Sequence, residues 1–285
     1  IRNAAKAALD AGHTSYAKPT NGIPEAKEAV CAKFKRENGL DYKPSQVIIS
    51  VGGKEALALA SMALLNPGDE VIFLDPYFVM YPALVRLCGG KPVMIDSYPT
   101  FRLDPQAIEA AITPQTKMIL VNSPANPTGV TADPEDLASV AKIARERNIA
   151  LLSDEIYSQF EYDDRFTSPA AENHDTIVID GFSKSHAMTG WRVGYVHGPP
   201  EIIRTMTKIQ QYSFVCSPQP AQWAALRAME ESVAGHIDHY RRKRDFLCQQ
   251  LASHYEVARP GGAFYLFPKA PGTAGGAAFV ERAIR

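Results

Sequence analysis

The chain has 285 residues, 46% of them hydrophobic and 21% charged, which excludes a disordered, collagen-like or coiled-coil polypeptide and leaves room for about two domains of roughly 150 residues. Thirty Lys and Arg against 31 Asp and Glu give a formal net charge of -1, so no basic field is available to hold a nucleic-acid backbone. No apolar run approaches the roughly 18 residues of a membrane-spanning helix, and Cys31, Cys88, Cys216 and Cys248 form no CxxC pair, so a reducing cytoplasm is the expected compartment.

The chain opens at Ile1 inside a helix-like stretch, without an initiator Met or a signal peptide. From residue 47 onward short apolar runs alternate with longer amphipathic ones. The runs predict strands over 47–50, 70–74, 91–95, 117–121, 149–152, 176–180 and 192–196. Helices are predicted between them over 54–65, 79–87, 105–111 and 134–147, the last opening on Pro134 with Asp133 as N-cap. Alternation of this kind gives an α/β fold class: a mainly parallel seven-stranded sheet with helices on both faces.

Past Val196 the texture changes. Helices are predicted over 200–209 and 220–231, then a charged linking helix over 236–253, with Arg241, Arg242 and Arg244 on its solvated face. Strands predicted over 255–258 and 263–267, around Pro260-Gly261-Gly262, begin a smaller α+β unit. An amphipathic helix over 278–285 ends the chain without a Gly, Asn or Pro stop, so the expectation is a longer polypeptide of which these residues are part. The predicted division is a large domain over 1–234, then a linking helix and the start of a small C-terminal domain over 235–285.

In open α/β sheets ligands bind beyond the carboxyl ends of the strands, so the residues after each predicted strand carry the most information. After the first strand, Gly52-Gly53-Lys54 can bring backbone amides at a helix N-terminus to an anion, though it is not a Walker loop. After the second, Tyr77 and Phe78 could stack on a flat ring or simply pack beneath the loop. The turn after the fourth, Asn122-Ser123-Pro124-Ala125-Asn126-Pro127-Thr128-Gly129, fixes one or both Asn amides. The fifth ends in Asp154-Glu155-Ile156-Tyr157, the sixth in Ser183-Lys184-Ser185-His186, and Gly190-Trp191-Arg192 lies at the seventh. A lysine and an arginine at one sheet edge lower the lysine pKa, as attack on a carbonyl requires. His236 and His239 lack the HExxH pattern of a metal site, no metal is expected, and His186 has no paired nucleophile.

The set Asn126-Pro127-Thr128-Gly129, Asp154-Glu155-x-Tyr157, Ser183-Lys184 and Gly190-Trp191-Arg192-x-Gly194-Tyr195 resembles the class I aminotransferases, pyridoxal-phosphate enzymes of fold type I. The similarity runs from Tyr16 and Gly22-Ile23-Pro24-Glu25 to Gly261-Gly262-Ala263-Phe264-Tyr265, with the texture of bacterial aspartate aminotransferases. The resemblance implies that Lys184 holds the cofactor as a Schiff base and moves the proton once substrate displaces it. It implies that Asp154 pairs with the pyridine nitrogen, and that Asn126 and Tyr157 hydrogen-bond the phenolic oxygen. Arg192, the amides of Gly53 and Lys54 and the Ser183 hydroxyl would hold the phosphate, the Lys54 ammonium taking no part, and Phe78 matches the stacking position. Tyr16 matches a tyrosine that reaches the neighbouring subunit's phosphate, implying a homodimer with shared active sites.

Amino acid and 2-oxo acid substrates follow from the same resemblance, and no residue stands in the family's context for the substrate-carboxylate arginine. A lyase or synthase on the same scaffold, or a regulatory domain that binds the cofactor without turnover, remains compatible with these residues.

Overall fold

The apolar runs and the turns between them build the order α1 (Arg2–Asp10), α2 (Pro24–Asn38), β1 (Val47–Ser50), α3 (Gly53–Leu64), β2 (Glu70–Asp75), α4 (Met80–Leu87), β3 (Lys91–Asp96), α5 (Pro105–Ala110), β4 (Thr116–Asn122), α6 (Pro134–Glu146), β5 (Ala150–Asp154), β6 (Ile177–Gly181), β7 (Gly194–His197), α7 (Pro200–Ser213), α8 (Gln219–Ala228), α9 (Ala234–Leu251) and α10 (Gly275–Ala283). This is a computed structural model, and it describes residues 1–163, 166–272 and 275–285.

The strands form one seven-stranded sheet in the order β1-β7-β6-β5-β4-β2-β3. All neighbours from β6 to β3 are parallel, and β7 alone runs against both β6 and β1. The chain leaves β2 outward to β3 and returns to β4 on β2's other side. The loops after β2 and β4 therefore diverge and open a crevice at the carboxyl edge, the usual ligand position in such sheets.

Alternation along the strands sorts the core into two faces. Val71, Phe73, Met118 and Leu120 pack with Leu57 and Leu59 of α3, Leu84 of α4 and Ile203 and Met206 of α7. Ile72, Ile119, Val121 and Leu151 face the other way, against Ile108 of α5 and Leu137, Val140 and Ala144 of α6. A third cluster joins Ile49, Val178 and Tyr195 to Val30 and Phe34 of α2 and to Ala224 and Ala225 of α8. Helices cover both faces, as the alternation predicts. Among the described residues no helix is long and apolar enough to cross a membrane.

Several local expectations are corrected. The segments 255–258 and 263–267 are not strands: among the described residues the first makes the single bridge Val257↔Pro268, and the bridge Glu161↔Gly262 lies just before the second. The Gly262 and Ala263 amides are taken by the Gly129 and Phe160 carbonyls at 2.9 Å each, leaving no free ladder to extend. Strand β7 starts at Gly194 rather than residue 192, because Arg192 is left-handed at φ 54. Asp133 stands at the α6 N-cap but does not cap it; its carboxylate pairs with Arg102 instead. Helix α2, which the sequence did not predict, opens on Pro24 and ends on the left-handed Gly39.

Arg244 does not belong to a solvated face. It is 5% exposed, forks onto Asp163 at 2.7 and 2.9 Å and donates to the Pro260 carbonyl at 2.9 Å. One buried cation thus ties α9 to the loop after β5 and to the turn before Tyr265, while Arg241 and Arg242 pair with Asp238 at the surface.

Candidate active site

The carboxyl edge of the sheet holds a cavity of about 150 Å³. Gly53, Lys54, Phe78, Asn126, Asp154, Tyr157, Ser183, Lys184 and Arg192 all line it. Tyr16 does not join them and is 67% exposed. His186 also faces elsewhere, its Nδ1 2.8 Å from the Ser185 hydroxyl.

One end of the cavity is built for an anion. Gly52, at φ 78, turns β1 into α3 and aims the first amides of that helix at the cavity. A Cβ on Gly52 would come 2.5 Å from Arg192 Nη2, so only glycine leaves room for the guanidinium. Arg192 is pinned by two carbonyls: Nη1 donates to Thr189 at 2.8 Å and Nη2 to Val51 at 3.1 Å. Its left-handed backbone, unfavourable for a residue with a Cβ, swings the side chain back over the glycine turn. The buried Ser183 closes this end.

The opposite end carries an acid and two amides held by the strand register. Asp154 ends β5 directly opposite Asn122 at the end of β4. Asn122 Nδ2 donates to the Asp154 carbonyl at 2.9 Å, and Asn122 Oδ1 accepts from the Asn126 amide at 2.8 Å, so one side chain orients both neighbours. Of the two Asn left open by the sequence, Asn122 is the bracket and Asn126 the residue it places. The Asp154 carboxylate is itself fixed: the Tyr81 hydroxyl donates to Oδ2 at 2.8 Å. Tyr157 shares a 2.5 Å hydroxyl contact with Tyr265. Lys184 Nζ lies 5.8 Å from the ring centres of both Tyr157 and Phe264.

Burial sets the charges. It pushes the Asp154 carboxyl up to about 6, with the Tyr81 hydroxyl and the Ile156 amide pulling it back. The Tyr157 phenol rises well above its usual range through burial and the Tyr265 contact. Lys184 is lowered, first by burial, then by the Lys54 charge and, more weakly, Arg192, against the pull of Asp154. The direction matches the sequence-based expectation but the cause does not: Arg192 is the smaller of the two cations. The Lys54 ammonium therefore contributes positive charge beside Lys184. That ammonium sits 5.9 Å from the Phe78 ring centre and makes no ion pair among the described residues.

Sequence reasoning missed Tyr81, which stands at the start of α4 with its ring centre 5.6 Å from that of Phe78 in the preceding loop. Replacing Tyr81 by Phe removes the donor that favours the charged carboxylate. The Asp154 midpoint should then rise by about one pH unit above its value near 6, given about 1.5–3 kcal/mol for a hydrogen bond to a charged group, partly recovered by relaxation. A carbon-13 NMR titration of Asp154 in the cofactor-free protein measures this, and an unmoved midpoint refutes it.

The model of the family described as aminotransferase class I and II matches residues 1–281. The aspartate/prephenate aminotransferase of Thermus thermophilus is 44% identical over 277 residues, covering 93% of this chain and 71% of its own length. A probable N-acetyl-LL-diaminopimelate aminotransferase of Bacillus subtilis is 40% identical, covering 94% of this chain and 70% of its own. Among solved structures, Thermus thermophilus aspartate aminotransferase with maleate superposes with a TM-score of 0.95 at 41% identity, over 99% of this chain and 76% of that one.

Proposed function

We propose, since this chain belongs to the aminotransferases of class I and II, that it binds pyridoxal phosphate in the Lys184 cavity and moves an amino group between an acidic amino acid, such as aspartate, and a 2-oxo acid. The observation that carries this is the convergence of Lys184, Asp154, Asn126, Tyr157 and Arg192, from the ends of four strands, on one cavity.

The residues fit the cofactor's three polar parts. The cradle left open by Gly52 and spanned by Arg192 suits a phosphate, held by the guanidinium, the Gly53 and Lys54 amides and the Ser183 hydroxyl. Asp154, held by Tyr81, suits a protonated pyridine nitrogen. Asn126 and Tyr157 suit the phenolic oxygen, and Phe78 the face of the ring. When bound, pyridoxal phosphate supplies an electron sink for the substrate's α-carbon.

Lys184 would anchor the cofactor covalently, and its amine, once freed, would carry the proton at the substrate α-carbon. Burial and the Lys54 charge lower its pKa, the direction that favours the neutral amine that proton removal needs. The Asp154 carboxylate would hold the pyridine nitrogen and favour its protonated form.

The unpaired Lys54 ammonium at the cavity supports an acidic substrate side chain, as do relatives named aspartate aminotransferases. The family resemblance at Tyr16, which is exposed, supports a homodimer in which this residue reaches the phosphate of a second copy. Residues 235–285, from the start of α9, are assigned to the linking helix and the beginning of a smaller domain, and the enzyme to the cytoplasm.

Incubation with pyridoxal phosphate, borohydride reduction and peptide mass spectrometry should place the cofactor's mass on Lys184. In a separate, unreduced sample loaded with pyridoxal phosphate, aspartate and 2-oxoglutarate should be interconverted with oxaloacetate and glutamate. Absence of that mass from the Lys184 peptide at saturating cofactor defeats the assignment.

A further inference from the structure

Glu55 is a buried acid in the first turn of α3, beside the cradle that the proposed phosphate would occupy. It is 5% exposed, and Gln210 of α7, which meets it, is fully buried. One Glu55 oxygen, Oε2, accepts from the Val51 amide. Gln210 Nε2 is shared between the Ile49 carbonyl at 3.1 Å and Glu55 Oε2 at 3.5 Å. The Val51 carbonyl, on the residue whose amide Glu55 holds, is the acceptor for Arg192 Nη2. A continuous chain therefore runs from α7 through Gln210, Glu55 and Val51 to the guanidinium.

A glutamate at the third position of a helix often reaches back to a free amide, and helix capping alone would explain the Val51 contact. Capping does not explain one further feature: among the described residues Glu55 Oε1 and Gln210 Oε1 are both buried without a hydrogen-bond partner, an arrangement that is more costly for an ionised carboxylate than for a neutral carboxyl. Burial pushes the Glu55 carboxyl in that neutral direction, opposed by the Val51 amide and Gln210.

We propose that Glu55 is a positioning residue for Arg192: supported by Gln210, it holds the Val51 amide and so sets the Val51 backbone, whose carbonyl holds the guanidinium at the phosphate cradle. This rests on the phosphate role given to Arg192 above and adds to it the group that sets the guanidinium's place.

The test compares dissociation constants of the cofactor-free protein for pyridoxal phosphate, for pyridoxal, which lacks the phosphate, and for inorganic phosphate. Glu55→Ala should weaken pyridoxal phosphate and inorganic phosphate about tenfold, the scale of one lost charge-assisted contact, and leave pyridoxal within about twofold. Glu55→Gln, neutral and still an acceptor for the Val51 amide, should retain all three within about twofold. Gln210→Met leaves Glu55 in place and should shift the same ratio in the same direction. A ratio of pyridoxal phosphate to pyridoxal affinity unchanged in both Glu55→Ala and Gln210→Met overturns the proposal, as does a tenfold loss in Glu55→Gln. Arg192→Ala separates the two levels: if it keeps the wild-type preference for the phosphate-bearing ligand, the role of Arg192 itself is refuted.

Discussion

Lys184→Ala should lower the transamination rate at least about 10⁴-fold. Two functions leave together, covalent anchoring of the cofactor and proton transfer at the substrate α-carbon, and positioned acid–base groups alone contribute about 10²–10⁴-fold. No neighbour can substitute. Lys54 stands on the phosphate side of the cavity over Phe78, Arg192 is pinned by two carbonyls, and the Tyr157 phenol is pushed far above neutrality. The fold should tolerate the change, because Lys184 is half-buried and makes no ion pair among the described residues. Steady-state kinetics of the variant, checked by circular dichroism, measure the effect; a loss below about tenfold in a folded protein removes Lys184 from the mechanism.

Asp154→Asn should cost about 10²–10³ in kcat, the scale of losing one preorganised electrostatic group. The amide matches the carboxylate in shape, can still accept from Tyr81 and lies in the same strand register against Asn122, so packing changes little. What disappears is the charge that favours a protonated pyridine nitrogen. The loss should therefore fall on kcat more than on KM, since the charge acts most when electron density moves into the ring. The two proteins should also differ in their response to acid. With cofactor absent, wild-type Asp154 takes up a proton as the pH falls through about 6. Affinity for the cofactor should fall over that range in the wild type through this group, a component that Asp154→Asn lacks. A kcat within about threefold of wild type would contradict the role.

Much of this was legible in the sequence because the signals are local. Alternating apolar runs fixed seven strand positions to within a few residues, and each strand end brought its polar group within a few positions of the strand. Lys184, Asp154 and Asn126 needed no knowledge of strand order to be suspected, since every strand of a parallel sheet ends on the same edge; Arg192 reaches that edge because β7 runs antiparallel and begins there. Helix α2 escaped because its mixed polar face gave no clear periodicity, although Pro24 and Gly39 mark its ends. Segments after Pro260 resembled strands because apolar composition records burial, not the presence of a neighbouring ladder.

The sequence by itself determined the fold class, the edge on which chemistry occurs and the residues that reach it, because side-chain periodicity and turn chemistry act over a few residues. Tertiary structure alone decided how those residues are held. Tyr81 meets Asp154 across 73 positions, Gln210 meets Glu55 across 155, and Arg244 meets Asp163 across 81. Such contacts follow from strand order, register and helix packing, and no local pattern in the chain encodes them. Arg192 shows the division within one side chain: its presence at the seventh strand was plain and the Thr189 carbonyl is close in sequence, while the Val51 carbonyl comes within its reach only once β1 and β7 lie side by side.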